Sequence, residues 1–537
     1  MPVPELPSEG STSWYSWARG LHRAVTTGDG LFGADSPAGY VDVKAAGAVG
    51  DGAANDTSVL QDTIDANAGK IIYFPPGTYN VSQLLLPSNT HLQLGRAVIR
   101  RAGNTAGAAG GATLRNSDQR NGNRNITVSG GTITATTGAS GRPWAFCGLD
   151  GLRVDDLTIE KGQATFADWM FYLERCRNVV VDNIRIVGGT AVGEDGIHIK
   201  SSEDMVLSNC LVDSGDDAIV LVHEFNQVRP IRNITISNCV LQSTSAHLIR
   251  ISVYPTETQP IEDVTLSNIV GHPPATAPAG NAVIIEDQTG AGAGTGLIRR
   301  ITMDNIVINA TGYPGNAVSI RSTVDSTFSN WRVSGASDRS YLLANCHRCN
   351  FTSVVADTPA ASTRNPQWTV DGCTNLLFLG CEARDSRLWS WGIAGERSSD
   401  LSFIGCRSVS PALQHWSVSA VQRLTVLGCT TTGGGTPIDC ATTAPPTQVK
   451  VIGNSFSGYS SSGDVAVANC PAGQLSYFGN DDLADRGDEF TRAKVGFFGT
   501  TPVAKPSVTG SRTQGTALAS LLEALADLGL ITDSSTS

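Results

Sequence analysis

Charge is scarce in this chain of 537 residues, where Lys, Arg, Asp and Glu together make up 16%. What charge there is leans acidic, with 38 Lys and Arg against 49 Asp and Glu, for a net −11. That balance argues against nucleic acid as a main partner, because phosphate binding needs a basic face. Long apolar runs are missing as well. None approaches the roughly 18–20 residues of a membrane helix, so no membrane insertion is expected. The opening Met1-Pro-Val-Pro-Glu-Leu-Pro7 has neither the basic segment nor the apolar core of a secretory signal, and none is expected. Cysteines at metal spacing are nearly absent. Cys346 and Cys349 form a lone CxxC with no second pair, so neither a metal nor any other cofactor is expected.

Glycine is abundant, at 58 residues, and suits a β architecture with many turns. From about residue 120 one phrase recurs: Arg124-Asn-Ile-Thr-Val-Ser-Gly130, Arg177-Asn-Val-Val-Val-Asp-Asn183, Glu203-Asp-Met-Val-Leu-Ser-Asn209, Arg232-Asn-Ile-Thr-Ile-Ser-Asn238 and Glu262-Asp-Val-Thr-Leu-Ser-Asn268. Later versions end in cysteine, as in Asn375-Leu-Leu-Phe-Leu-Gly-Cys381. The periods, mostly 23–30 residues, signal a solenoid. Each phrase is a short strand with alternate apolar residues and a polar turn. One such strand cannot bury its inner face alone, whereas stacked turns bury a continuous column. Asn183, Asn209, Asn238, Asn268, Asn305 and Asn330 are placed for a hydrogen-bonded ladder, since each amide both donates and accepts. Cys210, Cys239, Cys381, Cys406 and Cys429 are expected to point inward as small hydrophobes.

The ends differ from the middle. Residues 1–38 form a separate segment in which Trp14, Trp17, Leu21 and Val25 recur at helical spacing, either docked on the chain itself or serving as an attachment device. The repeat body spans 39–480. It opens with Gly50-Asp-Gly-Ala-Ala-Asn-Asp56 and a short helical pattern for which Asp56 is a plausible N-cap. Residues 481–537 hold an acidic stretch, an extended connector and a last helix. Leu518, Leu521, Leu522, Leu525 and Leu528 share one face of that helix, and Gly529 ends it. A lone helix this short is marginal in water, so it packs on the repeat body or on copies of itself.

The candidate site lies between Gly193 and His247. Aligning the turns on Ile197, Ile219, Ile249, Val283 and Val318 gives a preceding polar column of Asp195, Asp217, His247, Asn281 and Asn316. Equivalent residues of successive turns lie about 4.8 Å apart. Glu194 and Asp216 neighbour the first two. His198, Lys200 and Arg250 are expected to face outward beside the column, giving an exposed strip with acids at one end and cations alongside. Clustered carboxylates repel, so one keeps its proton and can act as an acid. The plainer reading is that aspartates at strand ends bond turn amides. Glu174, Asp168, Trp389, Trp391 and Trp416 are secondary candidates for ligand contact, and for sugar contact if the resemblance described next holds, although the tryptophans suit a core equally well.

The opening around Gly50–Asp56 resembles the start of the pectate-lyase-like family, whose fold is a right-handed parallel β-helix. Ser214-Gly-Asp-Asp-Ala-Ile219 is similar to the Gly-Asp-Asp motif of glycoside hydrolase family 28, the polygalacturonases and relatives. That resemblance implies inverting hydrolysis, with Asp216 as general acid, Asp195 and Asp217 holding and deprotonating the water, and His247 one turn later. His198, Lys200 and Arg250 would bind substrate. The sequence departs from the family at three places. Its Asn-Thr-Asp is Gly193-Glu194-Asp195 here, its Gly-His-Gly is Ala246-His247-Leu248, and its uronate-binding Arg-Ile-Lys falls at Ile284-Ile285-Glu286. Polygalacturonate is therefore a poor substrate candidate. The last 45 or so residues, with Val495-Gly-Phe-Phe-Gly499 and Leu528-Gly-Leu-Ile-Thr-Asp533, resemble the C-termini of tail-fibre and minor tail proteins of phages that infect actinobacteria. That resemblance implies a virion location, a homotrimer, other tail proteins as partners and a host surface polysaccharide as ligand. A receptor-binding tail protein without catalysis is the alternative.

Overall fold

The computed structural model describes residues 40–482 apart from 103–110, 137, 140, 162–167, 273–279, 291–294, 358–364, 396, 461–465 and 472, and residues 506–534 apart from 512 and 529. The expectations for Trp14, Trp17, Leu21, Val25 and Gly529, and for the connector at 483–505, lie outside the described residues.

Among the described residues between Tyr40 and Asp482 every strand pairing is parallel and joins one turn to the next, making a coil of about 15 turns. A turn contributes three short strands, as in Arg177–Asp182, Arg185–Val187 and Ile197–Lys200. The next turn repeats them as Glu203–Ser208, Leu211–Ser214 and Ile219–His223. Some strands run round a corner. Ile231–Ser243 pairs with Glu203–Ser208 through its first half and with Leu211–Ser214 through its second. At that corner the chain needs a left-handed residue, and Asn238 supplies it with φ 56°.

The asparagine ladder forms as expected. Asn238, Asn268 and Asn305 each donate from Nδ2 to the Oδ1 of the asparagine one turn earlier, at 3.4, 3.1 and 2.8 Å. Aspartates take over at the ends, where Asn209 donates to Asp182 at 2.6 Å and Asn330 to Asp304 at 2.8 Å. Cys210, Cys239, Cys381, Cys406 and Cys429 are buried free thiols. Cys346 and Cys349 are buried too, their thiols donating to the carbonyls of Ile320 and Thr323.

Alternation decides the core. On the 15-stranded face the inward register runs through Trp144, Phe171, Ile197, Ile219, Ile249, Val283, Val318, Tyr341, Trp368, Trp391 and Trp416. Tyr341 stacks on Trp368 at 4.0 Å and Trp368 on Trp391 at 4.6 Å. Each such pair contributes about 0.5–1.5 kcal/mol beyond its burial. Trp391 and Trp416 are thus fully buried core residues, which removes them as sugar contacts. Trp389 is partly exposed and donates from Nε1 to Gln414.

The helix Thr57–Ala66 lies beside the first turns and buries Leu60, Thr63 and Ile64. Asp56 does precede it but makes no side-chain cap. Its carboxylate instead accepts the backbone N–H groups of Val49, at 2.7 Å, and Gly50, at 3.1 Å. Asn55 takes the capping role, accepting the Thr57 N–H at 3.0 Å. The last helix spans Thr516–Asp527; Leu518 and Leu521 are exposed, whereas Leu522, Leu525 and Leu528 are half-buried. Among the described residues no helix is long and apolar enough to cross a membrane.

Candidate active site

The strands Ile197–Lys200, Ile219–His223 and Ile249–Val253 are adjacent on the 15-stranded face. Two residues before each strand, the backbone of one turn bonds to the side chain of the turn before. The Asp217 N–H donates to Asp195 Oδ1 at 3.1 Å, and the His247 N–H to Asp217 Oδ1 at 2.9 Å. Two turns further on, Asn316 donates in the same way to Asn281 Oδ1 at 2.9 Å. The column read from the sequence is therefore a physical stack.

Its functional half carries more than turn bonding. Asp195, Asp216 and Asp217 each place a carboxylate oxygen within 4.8 Å of the others. Asp195 and Asp217 are buried, and Asp216 is half-buried at the rim. Asp217 is the most heavily paired. Its Oδ1 meets His247 Nδ1 at 2.6 Å, and its Oδ2 meets Arg250 Nη1 at 3.2 Å. Burial alone would raise the Asp217 carboxyl, but the His247 hydrogen bond and the positive charges of His247 and Arg250 outweigh it. Asp217 is held below the usual aspartate range. Asp216 moves the other way, raised by burial and then by the negative charge of Asp217. Asp195 is also raised, by burial first and by Asp217 and Asp216 next.

Three carboxylates this close can in principle hold a divalent ion. Here both Asp217 oxygens already face cationic or N–H donors, and Arg250 supplies the compensating charge. Asp195 likewise spends Oδ2 on His198 Nδ1, at 2.6 Å, and Oδ1 on the Asp217 N–H. The donor set favours a proton-handling cluster over a metal cage.

Gly215 explains why this motif begins with glycine. A Cβ there would strike the backbone of Ala191 and come within 2.8 Å of Glu194 Oε2. The Asp216 carbonyl is pinned by the hydroxyls of Ser214, at 2.7 Å, and Ser243, at 2.6 Å. Its Oδ2 accepts the Gly193 N–H at 2.5 Å. Glu194 lies behind the cluster rather than in it. It is fully buried, pairs with Lys161, and accepts the N–H groups of Thr190, at 2.7 Å, and Ala191, at 3.0 Å.

The outward strip is corrected in one respect. His198 and Arg250 do share the outward register, with Val220 between them. Yet His198 and Lys200 are each only 3% exposed. The Trp169 ring stacks on His198 at 3.9 Å, and Glu224 takes Lys200 Nζ at 3.2 Å. Burial, and then the charge of Lys200, lowers His198 well below its ordinary value. Arg250 remains accessible and also donates from Nη2 to the Tyr254 hydroxyl at 2.8 Å. Ile284 follows Arg250 in the same outward register, so the missing cation of the Arg-Ile-Lys phrase would have stood one turn beyond it. Asp168 pairs with Arg142 at 2.6 Å, and Glu174 accepts the Tyr172 hydroxyl at 2.7 Å. Trp169, Glu224 and Tyr254 had no sequence signal, because they lie between the repeated phrases.

Residues 40–253, the N-terminal half of the coil with the whole aspartate cluster, match the family model described as rhamnogalacturonase A/epimerase, pectate lyase-like. A protein described as a probable polygalacturonase of Arabidopsis thaliana is 26% identical over 164 residues, which is 30% of this chain and 33% of that protein. The plasmin and fibronectin-binding protein A of Streptococcus pneumoniae is 51% identical over 57 residues, 10% of this chain and 8% of that protein. The chain thus spans a third or less of the length of these relatives. Among solved structures, a tailspike mutant of E. coli bacteriophage HK620 in complex with a pentasaccharide aligns over 82% of this chain and 80% of its own, at 11% identity and a TM-score of 0.49. The family match and the parallel coil agree with the pectate-lyase-like resemblance.

Proposed function

We propose that this chain is a phage tail protein whose coil, read as right-handed, binds and hydrolyses a host surface polysaccharide. The observation that carries the reading is the clustering of Asp195, Asp216 and Asp217, with oxygens within 4.8 Å of one another, in unlike environments: Asp217 is paired with His247 and Arg250 and held low, whereas Asp216 at the rim is raised by burial and by Asp217. Environments that push neighbouring acids apart are what acid–base catalysis needs. Asp216, at the rim, keeps its proton and gives it to the leaving sugar oxygen. Asp217, ionised and held by His247 and Arg250, takes the proton of the attacking water, while Asp195, raised like Asp216, helps to hold that water in place. A water at about 2.8 Å from each of two oxygens fits between oxygens up to about 5.6 Å apart. The reach of 4.8 Å admits one.

His198 and Lys200 act from behind in this scheme. The neutral His198 fixes Asp195 through Nδ1, and Lys200 anchors Glu224 over it. Arg250 is the side chain left to touch the glycan. The water attacks opposite the leaving group, so the anomeric centre inverts. Hydrolysis of the probable polygalacturonase type is the support from the relatives. The C-terminal helix, with Leu518 and Leu521 exposed, is the seam we propose for a homotrimer, and the virion is the proposed location.

A binding-only protein is the second reading. Asn281 bonds to Asn316 just as Asp195 bonds to Asp217, so the stack needs no charge to form. The relative described as a plasmin and fibronectin-binding protein favours this reading as well. Counting new reducing ends from host surface polysaccharide separates the two, with Asp216→Asn and Asp217→Asn alongside the wild type.

A further inference from the structure

A cationic cleft opens at a different corner of the coil, beyond the far ends of the strands that carry the site. Its volume is about 430 Å³, and four arginines, Arg124, Arg175, Arg177 and Arg229, line it against a single carboxylate, Asp150. In a chain of net charge −11 this is a local reversal of sign. Asp150 is already engaged, by Arg177 at 2.6 Å and by the Asn178 amide at 2.7 Å. Arg124 and Arg229 are exposed and have no ion pair among the described residues. Arg175 is held in place. Its backbone sits at φ 53°, its N–H donates to Lys200 O at 3.0 Å, and Nη2 donates to Gln119 O at 2.8 Å. Its Nε is buried and without a hydrogen-bond partner, 4.0 Å from Glu174 Oε1.

A second hollow of about 490 Å³ begins at the very next residues of the same turns, Asn89, Asn125, Gly151 and Asn178. The two hollows lie side by side along the same turns and both open to solvent, an arrangement that suits an extended polymer better than a small ligand. Arg175 follows the strand Phe171–Glu174 and bonds to Lys200, five residues beyond Asp195. At about 3.3 Å per residue this places the cleft roughly 17 Å from the aspartate cluster, across the face a bound glycan would cover.

We infer that this cleft holds a carboxylate or sulfate substituent of an acidic polysaccharide. Guanidinium groups pair with such oxyanions through parallel N–H donors, and three arginines here lack a protein carboxylate within hydrogen-bonding reach. The inference rests on the polysaccharide reading above but not on catalysis. It names the ligand as acidic and gives the recognition to arginines far from the missing Arg-Ile-Lys position.

The test is binding of the full chain to immobilised polygalacturonate, dextran sulfate and neutral dextran at about 0.15 M salt, where exposed charges more than about 8 Å apart are screened. The wild type is expected to bind one or both acidic polymers at least tenfold more tightly than dextran, and the preferred polymer identifies carboxylate or sulfate. Arg229→Glu, an exposed substitution, and Arg175→Gln are each expected to lose at least tenfold. Arg397→Glu, which changes the same charge elsewhere on the surface, is expected to change little. Equal binding to dextran, unaltered binding by both cleft variants, or an equal loss with Arg397→Glu overturns the inference. Asp216→Asn separates it from the hydrolytic reading. Binding retained by that variant without any wild-type cleavage leaves the cleft standing and removes the hydrolase, whereas cleavage with no preference for acidic polymers does the reverse.

Discussion

His247 grips Asp217 twice, through its backbone N–H at 2.9 Å and its ring Nδ1 at 2.6 Å, both to the same oxygen. The turn that supplies the histidine therefore sets the position of the Asp217 carboxylate. Arg250, three residues later, closes on the other oxygen at 3.2 Å. A scaffold aspartate needs only the first of these bonds, which Asn281 provides elsewhere with an amide.

The two aspartates of the Gly-Asp-Asp motif are predicted to affect stability in opposite directions. Asp217 is depressed in the fold, so its charge contributes stability above the ordinary value of 3.8, lost as pH falls through its folded value. Asp216 is raised, so above 3.8 its charge opposes folding. At pH 7, Asp217→Asn should lower Tm and Asp216→Asn should raise it. Thermal melts check this, and Tm shifts of the same sign would refute the assignment.

Activity should follow a bell in pH. The lower limb is Asp217 gaining a proton, at a value below 3.8, and the upper limb is Asp216 losing one, at a value above it. A profile of kcat/KM against pH with one limb, or none, would contradict the paired roles.

Inversion is a sharper claim than hydrolysis. Inverting enzymes usually separate their carboxyl groups by about 6.5–9.5 Å, wider than the oxygen-to-oxygen reach of 4.8 Å here. Inversion is still expected here, because the proposed attacking group is a water held by Asp195 and Asp217 and not either carboxylate itself. Proton NMR of the first product formed should show the anomer opposite to the substrate linkage, and retention would mean that one aspartate attacks directly.

Much of this was legible from the repeated phrase. Arg177–Asn183 and its successors specify the strand, the left-handed asparagine and the register, which is why the stacking of Asp195, Asp217 and His247 follows from the repeat alone. The inward side of Trp391 and Trp416 was readable too, since each alternates with an apolar partner, Ile393 and Val418. The cover over His198 was not. Trp169 and Glu224 come from loops with no period, and a strand pattern says only which way a side chain points, not what lies on top of it. Asp56 failed as a cap for a similar reason, because its partners Val49 and Gly50 lie in a loop whose path no pattern encodes.

Glu194 separates scaffold from chemistry. It is fully buried against Lys161. Breaking a buried pair by removing one partner costs about 3–5 kcal/mol. Glu194→Ala is predicted to destabilise the chain by that order in denaturant titrations. Trp391→Ala should cost about 3–5 kcal/mol through its core cavity, while Trp391→Phe should leave glycan binding unchanged.

The most direct test of the central claim is the release of reducing ends from polysaccharide of actinobacterial hosts by the full chain. New ends are expected with the wild type, with a loss of at least about a hundredfold in both Asp216→Asn and Asp217→Asn, the range general acid–base groups supply. Cleavage that survives in either variant, or a wild type that binds the cells and never cleaves, would contradict that claim and return the aspartates to turn scaffolding.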